Sequence, residues 1–208
     1  MSALVAAGRP LPPQEVLVDE LAALLTTLEE GDEERAQAAA LTLGRMGEAA
    51  LPLLRSLAAS PRTDTRWWAA RALAETRTPA AVPLLTRLSR DPDEDVRACA
   101  VLALGELRCP EAIEPLVTAL QDSSGYVARL AGNALIHLGE RAVPALIEVL
   151  EIGPPRARVN AARALAALEA REAIPALIRA LEDPSALVVH YAEEALEKLG
   201  VGMIFFQP

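Results

Sequence analysis

A leucine recurs six times along this chain at nearly constant intervals: Leu43, Leu73, Leu104, Leu135, Leu165 and Leu196 stand 30 or 31 residues apart. One helical turn before each stands an alanine: Ala39, Ala69, Ala100, Ala131, Ala161 and Ala192. A fixed period of this length leaves few folds open. Each period is one supersecondary unit too small to bury its own apolar face, so neighbouring units must stack into a solenoid. The unbroken row of alanines requires helices that approach closely at that level, because a larger side chain would push them apart.

Residues 91–121 serve as the template unit. Val96, Ala100, Ala103, Leu104 and Leu107 fall on one face of a helix. Asp91 and Pro92 precede it, and their order suits an N-cap followed by a proline in the first turn. After a break at 108–110, Ile113, Leu116, Val117 and Leu120 mark a second helical face. The unit is thus an A helix, a tight turn and a B helix. In the other copies, Leu53, Leu54 and Leu57 align with Leu84, Leu85 and Leu88, and with Leu116, Val117 and Leu120. Pro52, Pro83, Pro115, Pro144 and Pro175 then fall in the first turn of each B helix, where proline is tolerated.

Asp91, Pro92, Val96, Arg97, Ala100, Ala103, Leu104 and Gly105 together resemble the short HEAT-like repeats of the phycobilisome (PBS) lyase type. The resemblance covers about residues 32–200. It implies an all-α fold, a right-handed α-solenoid (an α-α superhelix) of about six HEAT-like two-helix repeats. It also implies that the B helices line a concave surface. Arg66, Arg97 and Arg158 share one A-helix level, and the resemblance implies that they hold the preceding loop through acids such as Asp64 and Asp95. Such repeats mostly serve as scaffolds.

The expected organisation is a lead-in at 1–13 and a single solenoid at 14–200. An orphan helix at 14–29 precedes repeats at about 32–59, 62–90, 93–121, 123–151 and 155–182, and a last A helix at 184–199 ends at Gly200. The apolar tail at 201–208 contains both phenylalanines, Phe205 and Phe206. It covers the last helix in place of a B helix, anchors another subunit or a partner, or is disordered, so a homo-oligomer through this tail is one expectation.

The chain of 208 residues carries a formal charge of −9, which disfavours nucleic acid and anionic membranes as partners. It suits a protein partner, including one with a basic or extended segment. Cys99 and Cys109 are about 15 Å apart along one helix axis, too far for a disulfide. The absence of a charged, apolar leader in the first residues and of any apolar run near a membrane span adds to an expected cytoplasmic location.

Two surfaces stand out as candidates. On the A helices, Trp67 occupies a level whose other occupants are Gln37, Ala98, Arg129, Val159 and His190. Arg71 follows one turn later, at the spacing of a cation–π pair, and tryptophan and arginine dominate interface hot spots. On the B helices, one outward level reads Arg55, Thr86, Thr118, Glu148 and Arg179, flanked by Glu114, Glu151 and Glu182. The groove they line is mixed in charge and more acidic toward its C-terminal half.

No catalytic constellation is legible, and no cofactor or metal is expected. His137 and His190 lie in different repeats, without a neighbouring metal-ligand spacing. Neither is followed by glutamate, unlike the His-Glu pairs of HEAT-like dioxygen enzymes. The expected function is a non-enzymatic scaffold that binds a protein along the concave surface or on the Trp67 and tail patches. The alternative, implied by the resemblance alone, is a subunit or chaperone-like factor of a bilin lyase or isomerase acting on a tetrapyrrole-carrying protein.

Overall fold

The computed structural model describes residues 33–201. The expected lead-in at 1–13, the orphan helix at 14–29 and the tail beyond Val201, with Phe205 and Phe206, lie outside the described residues. Among the described residues the architecture is entirely helical. The A helices are α1 (Glu33–Arg45), α3 (Thr63–Glu75), α5 (Glu94–Leu107), α7 (Gly125–Leu138), α9 (Pro155–Leu168) and α11 (Ala186–Lys198). The B helices are α2 (Leu51–Leu57), α4 (Val82–Leu88), α6 (Ile113–Ala119), α8 (Val143–Ile152) and α10 (Ile174–Ala180). Each A helix packs against the A helix of the next repeat, and each B helix against the A helix that follows it, which makes an α-solenoid.

The leucine and alanine rows form the spine of the core. Leu43, Leu73, Leu104, Leu135 and Leu165 have no exposed surface, and Leu196 retains 2%. The small residues are needed where A helices touch. A Cβ added to Gly105 of α5 would sit 2.7 Å from Cβ of Ala134 in α7. One added to Gly44 of α1 would sit 2.3 Å from Cβ of Glu75 in α3.

A 3-10 turn leads into every B helix, and the helix starts at Leu51, Val82, Ile113, Val143 and Ile174 set the B-helix register. This corrects the alignment read from the leucines. The fully buried column is Leu54, Leu85, Leu116, Leu146 and Leu177, so the first two helices slip by one residue relative to that alignment. The adjacent leucines Leu53-Leu54 and Leu84-Leu85 satisfy either register. Pro115 favoured the wrong one, because it sits third in its helix while Pro52, Pro83, Pro144 and Pro175 sit second.

Asp91 is also not the N-cap of α5. That role belongs to Asp93, whose carboxylate accepts from the N–H groups of Asp95 and Val96. Asp91 instead accepts a forked pair of bonds from Arg66 of the previous A helix, at 2.6 and 2.8 Å, and a further bond from the Asp93 N–H at 3.0 Å. The same joint repeats. Arg97 forks onto Asp122 at 2.9 and 3.0 Å, and Arg158 onto Asp183 at 2.8 and 3.2 Å. The acids are therefore Asp91 and Asp122 rather than Asp64 and Asp95, which lie on the first turns of their own helices and face outward. The loop that each arginine holds is its own: Arg66 also donates to Ser60 O and Pro61 O, and Arg97 to Asp91 O and Pro92 O. Each joint thus ties one loop to the start of the next repeat. Bidentate geometry makes this fork stronger than a single contact.

The ladder skips one rung, where Ala128 and Gly153 replace the arginine and the acid. Here α8 runs to Ile152, one turn longer than the other B helices. A Cβ at Gly153 would meet the Val149 carbonyl oxygen at 2.4 Å, so an aspartate does not fit. Ala128 offers no donor to the carbonyls of Asp122 and Ser123, and these accept instead from Arg156 of the next repeat.

The last A helix ends in a Schellman arrangement. Gly200 has φ +75°, its N–H donates to Glu197 O, and the Val201 N–H donates to Leu196 O at 2.9 Å.

Thr65 is the core position out of keeping with its column. The equivalent residues are Val96, Val127, Ala157 and Val188, whereas Thr65 is fully buried and its hydroxyl has no hydrogen-bond partner among the described residues. A buried unpaired hydroxyl costs about 1–3 kcal/mol. Thr65→Val is expected to raise the unfolding free energy by about 1 kcal/mol in a urea titration followed by circular dichroism. A fall in stability would mean that the hydroxyl has a partner.

Candidate interaction surfaces

The corrected register redraws the B-helix surface. The outward level shared by the five helices is Ser56, Arg87, Thr118, Glu148 and Arg179, and all five are exposed. Arg55 and Thr86 belong to the neighbouring level, and the Thr86 hydroxyl is turned back onto Val82 O. A second exposed level follows one turn on: Ala59, Arg90, Gln121, Glu151 and Glu182. The second repeat thus presents Arg87 and Arg90, and the fourth presents Glu148 and Glu151. Glu114 is exposed at the start of α6, where its carbonyl accepts from the Thr118 hydroxyl at 3.1 Å. Arg179 reaches across from α10 to Glu151 of α8 and forms an exposed ion pair. Of the expected B-face residues, Glu151 and Arg179 are brought together directly; Glu114, Thr118, Glu148 and Glu182 are exposed on the same face.

On the A helices, Trp67 is half-buried and packs against the core rather than standing free. Its ring meets that of Trp68 edge-on, with centroids 4.7 Å apart and planes at 87°. The expected stack with Arg71 does not form. Arg71 approaches Glu75 at 3.8 Å, and the cation–π contact among the described residues is Arg129 over Tyr126, 5.9 Å from the ring centroid. Trp67 and Arg71 nevertheless line one groove of about 720 Å³ between α3 and α5. The groove exists because Ala98 occupies the level filled by Trp67 in α3 and Arg129 in α7. Sequence reading missed most of its wall, which includes Leu102, Glu106 and Tyr126. Their signal lay in column comparisons: Leu102 is 46% exposed at a level held in the other inner repeats by Arg71, Asn133 and Arg163, with Leu41 and Glu194 at the two ends.

The ionisable groups of the interior are held structurally. Burial pushes the Cys99 thiol up to about 12, and its Sγ contacts the Trp67 carbonyl oxygen at 3.8 Å. Burial also raises the Cys109 thiol. Both cysteines are buried and free of a disulfide, so the thiolate form needed for nucleophilic chemistry is suppressed. Arg163, its pKa lowered by burial, lies across Gly132 and donates to Asn133 Oδ1 at 2.9 Å and to Arg129 O. Among the described residues no group of three or more His, Cys, Asp or Glu side chains is placed to hold a metal ion. No described helix is long and apolar enough to cross a membrane.

A family model for HEAT repeats matches residues 18–98, 83–155 and 143–201. The chain belongs to the HEAT-repeat family. No curated protein matches it. Among solved structures, this HEAT-repeat protein is similar to a chain in the complex of CpcE and CpcF of phycocyanin lyase from Nostoc sp. PCC7120. The TM-score is 0.55 and the identity 23%, over 71% of this chain and 98% of that one. It is also similar to YibA of E. coli, with TM-score 0.55 and 18% identity, over 95% of this chain and 79% of that one. At these identities the likeness speaks for the fold alone.

Proposed function

We propose that this HEAT-repeat chain is a non-enzymatic scaffold that holds a partner protein along the exposed face of its B helices. One observation carries the reading. Directly behind the outward level, every B helix places the same residue, a fully buried leucine from Leu54 to Leu177. At the outward level no such rule holds: Ser56 and Thr118 carry hydroxyls, Arg87 and Arg179 positive charge, and Glu148 negative charge. A rigid, repeating frame thus carries a non-repeating surface, which is how a solenoid recognises an extended partner. The order of charges gives that partner a direction. Its acidic part lies on Arg87 and Arg90, and its basic part on Glu148, beside the Glu151–Arg179 ion pair.

The test is crosslinking and affinity capture from the native organism with the full chain, compared with Arg87→Glu/Arg90→Glu and Glu148→Arg/Glu151→Arg. All four positions are exposed, so helicity is retained. A specific partner is expected with the wild type and is lost with either charge reversal. A partner retained by both variants would sink the B-face reading.

The PBS-lyase-type reading, a factor handling a bilin on a carrier protein, rests on the repeat pattern. Its test is the absorbance spectrum after incubation with a bilin, where a shifted band would promote it.

A further inference from the structure

The geometry points to a second contact site on the opposite face: the groove between α3 and α5 takes an extended basic segment anchored by one apolar side chain. This rests on the scaffold reading and names a partner chemistry for another of its surfaces. The apolar element comes from a missing side chain. Ala98 leaves a depression beside Trp67, and Leu102 and Tyr126, 46% and 47% exposed, border it. Large apolar groups left half in water along one groove gain from being covered. The volume of about 720 Å³ is larger than one leucine or phenylalanine needs, so flanking chain is accommodated as well.

The charge around the depression selects the occupant. Four carboxylates line it, from Asp64, Asp93, Asp95 and Glu106, against one lining guanidinium, Arg71, and a second, Arg129, over the ring of Tyr126 at its border. Arg71 is already drawn toward Glu75. Asp93 also caps α5, accepting from the N–H groups of Asp95 and Val96. Lysines or arginines on both sides of the anchor would meet these carboxylates, and an acidic segment would be repelled.

A built-in reporter makes the site testable. The protein's two tryptophans are Trp67 and Trp68, and Trp67 lines the groove. The probe is a synthetic peptide of alternating arginine and lysine around one central leucine, titrated into the full chain while tryptophan emission is followed. A saturable emission change is expected, with binding weakened about ten-fold or more by Asp95→Lys/Glu106→Lys, whose positions are exposed. The same peptide with serine for leucine is expected to bind at least about ten-fold more weakly. Glu148→Arg/Glu151→Arg on the B face is expected to bind the peptide as the wild type does. No saturable change, or equal binding of the serine peptide, overturns the groove. Peptide binding lost only in the B-face variant also overturns it, while leaving the scaffold reading in place.

Discussion

Leu104→Ala is expected to lower the unfolding free energy by about 3–4 kcal/mol, the largest loss anticipated for a single truncation in this chain. Leu104 has no exposed surface and sits in α5, between the A helices α3 and α7. Its removal costs the transfer energy of the deleted carbons and the cavity left behind. The cavity will not collapse easily, because α5 and α7 are already in close contact beside it, where a Cβ added to Gly105 would sit 2.7 Å from Cβ of Ala134. Nearest-neighbour stacking should spread the effect, so that the flanking repeats lose cooperativity too. Urea unfolding monitored by circular dichroism gives the number. A loss below about 1 kcal/mol would mean that the leucine column is padding around a frame held by something else.

The second large effect is expected from Arg66→Met. It removes the forked pair with Asp91 and the donor for Ser60 O and Pro61 O, leaving a buried carboxylate without its counter-charge. Breaking one partner of a buried pair costs about 3 kcal/mol near neutral pH. The loss should shrink in acid. Burial pushes Asp91 up, but the bonds from Arg66 and the Asp93 N–H outweigh this and hold its carboxyl below the usual range. A depressed carboxylate contributes stability above its unfolded pKa of about 3.9, and that contribution is lost as pH falls through the folded value. In Arg66→Met the pair is gone, so this source of acid sensitivity goes with it. The gap between wild type and variant should narrow below about pH 4. Equal gaps at neutral and at acid pH would show that the fork contributes packing and no charge pairing.

The A helices were the most legible part of the chain, and the reason is physical. Each carries one leucine and one small residue at the contact level, and only one phase of the helical period places both inside. The B helices are short and leucine-dense, so Leu53-Leu54 and Leu84-Leu85 admitted two phases, and the three-dimensional stack chose between them. The Arg–Asp joint was legible on its arginine side only. Asp91 stands before a proline at a helix start and has every local mark of a cap; its true partner lies 25 residues back. The groove beside Trp67 was half legible. One tryptophan against a column of smaller residues is visible in the sequence, but the depression is made by what Ala98 lacks once α3 and α5 are side by side.

The spacing of that joint bears on how the chain comes into being. Arg66, Arg97 and Arg158 each bond an acid 25 residues further on. During synthesis from the N-terminus, no repeat bearing this joint can therefore close it alone; it waits until the first residues of its successor have emerged from the ribosome. The growing end is always an open clasp, and each new repeat locks the one before it. At the skipped rung the wait is longer, because Ser123 O is held by Arg156, 33 residues later. A ribosome paused within that interval would present a solenoid whose earlier units are closed and whose newest one is still open.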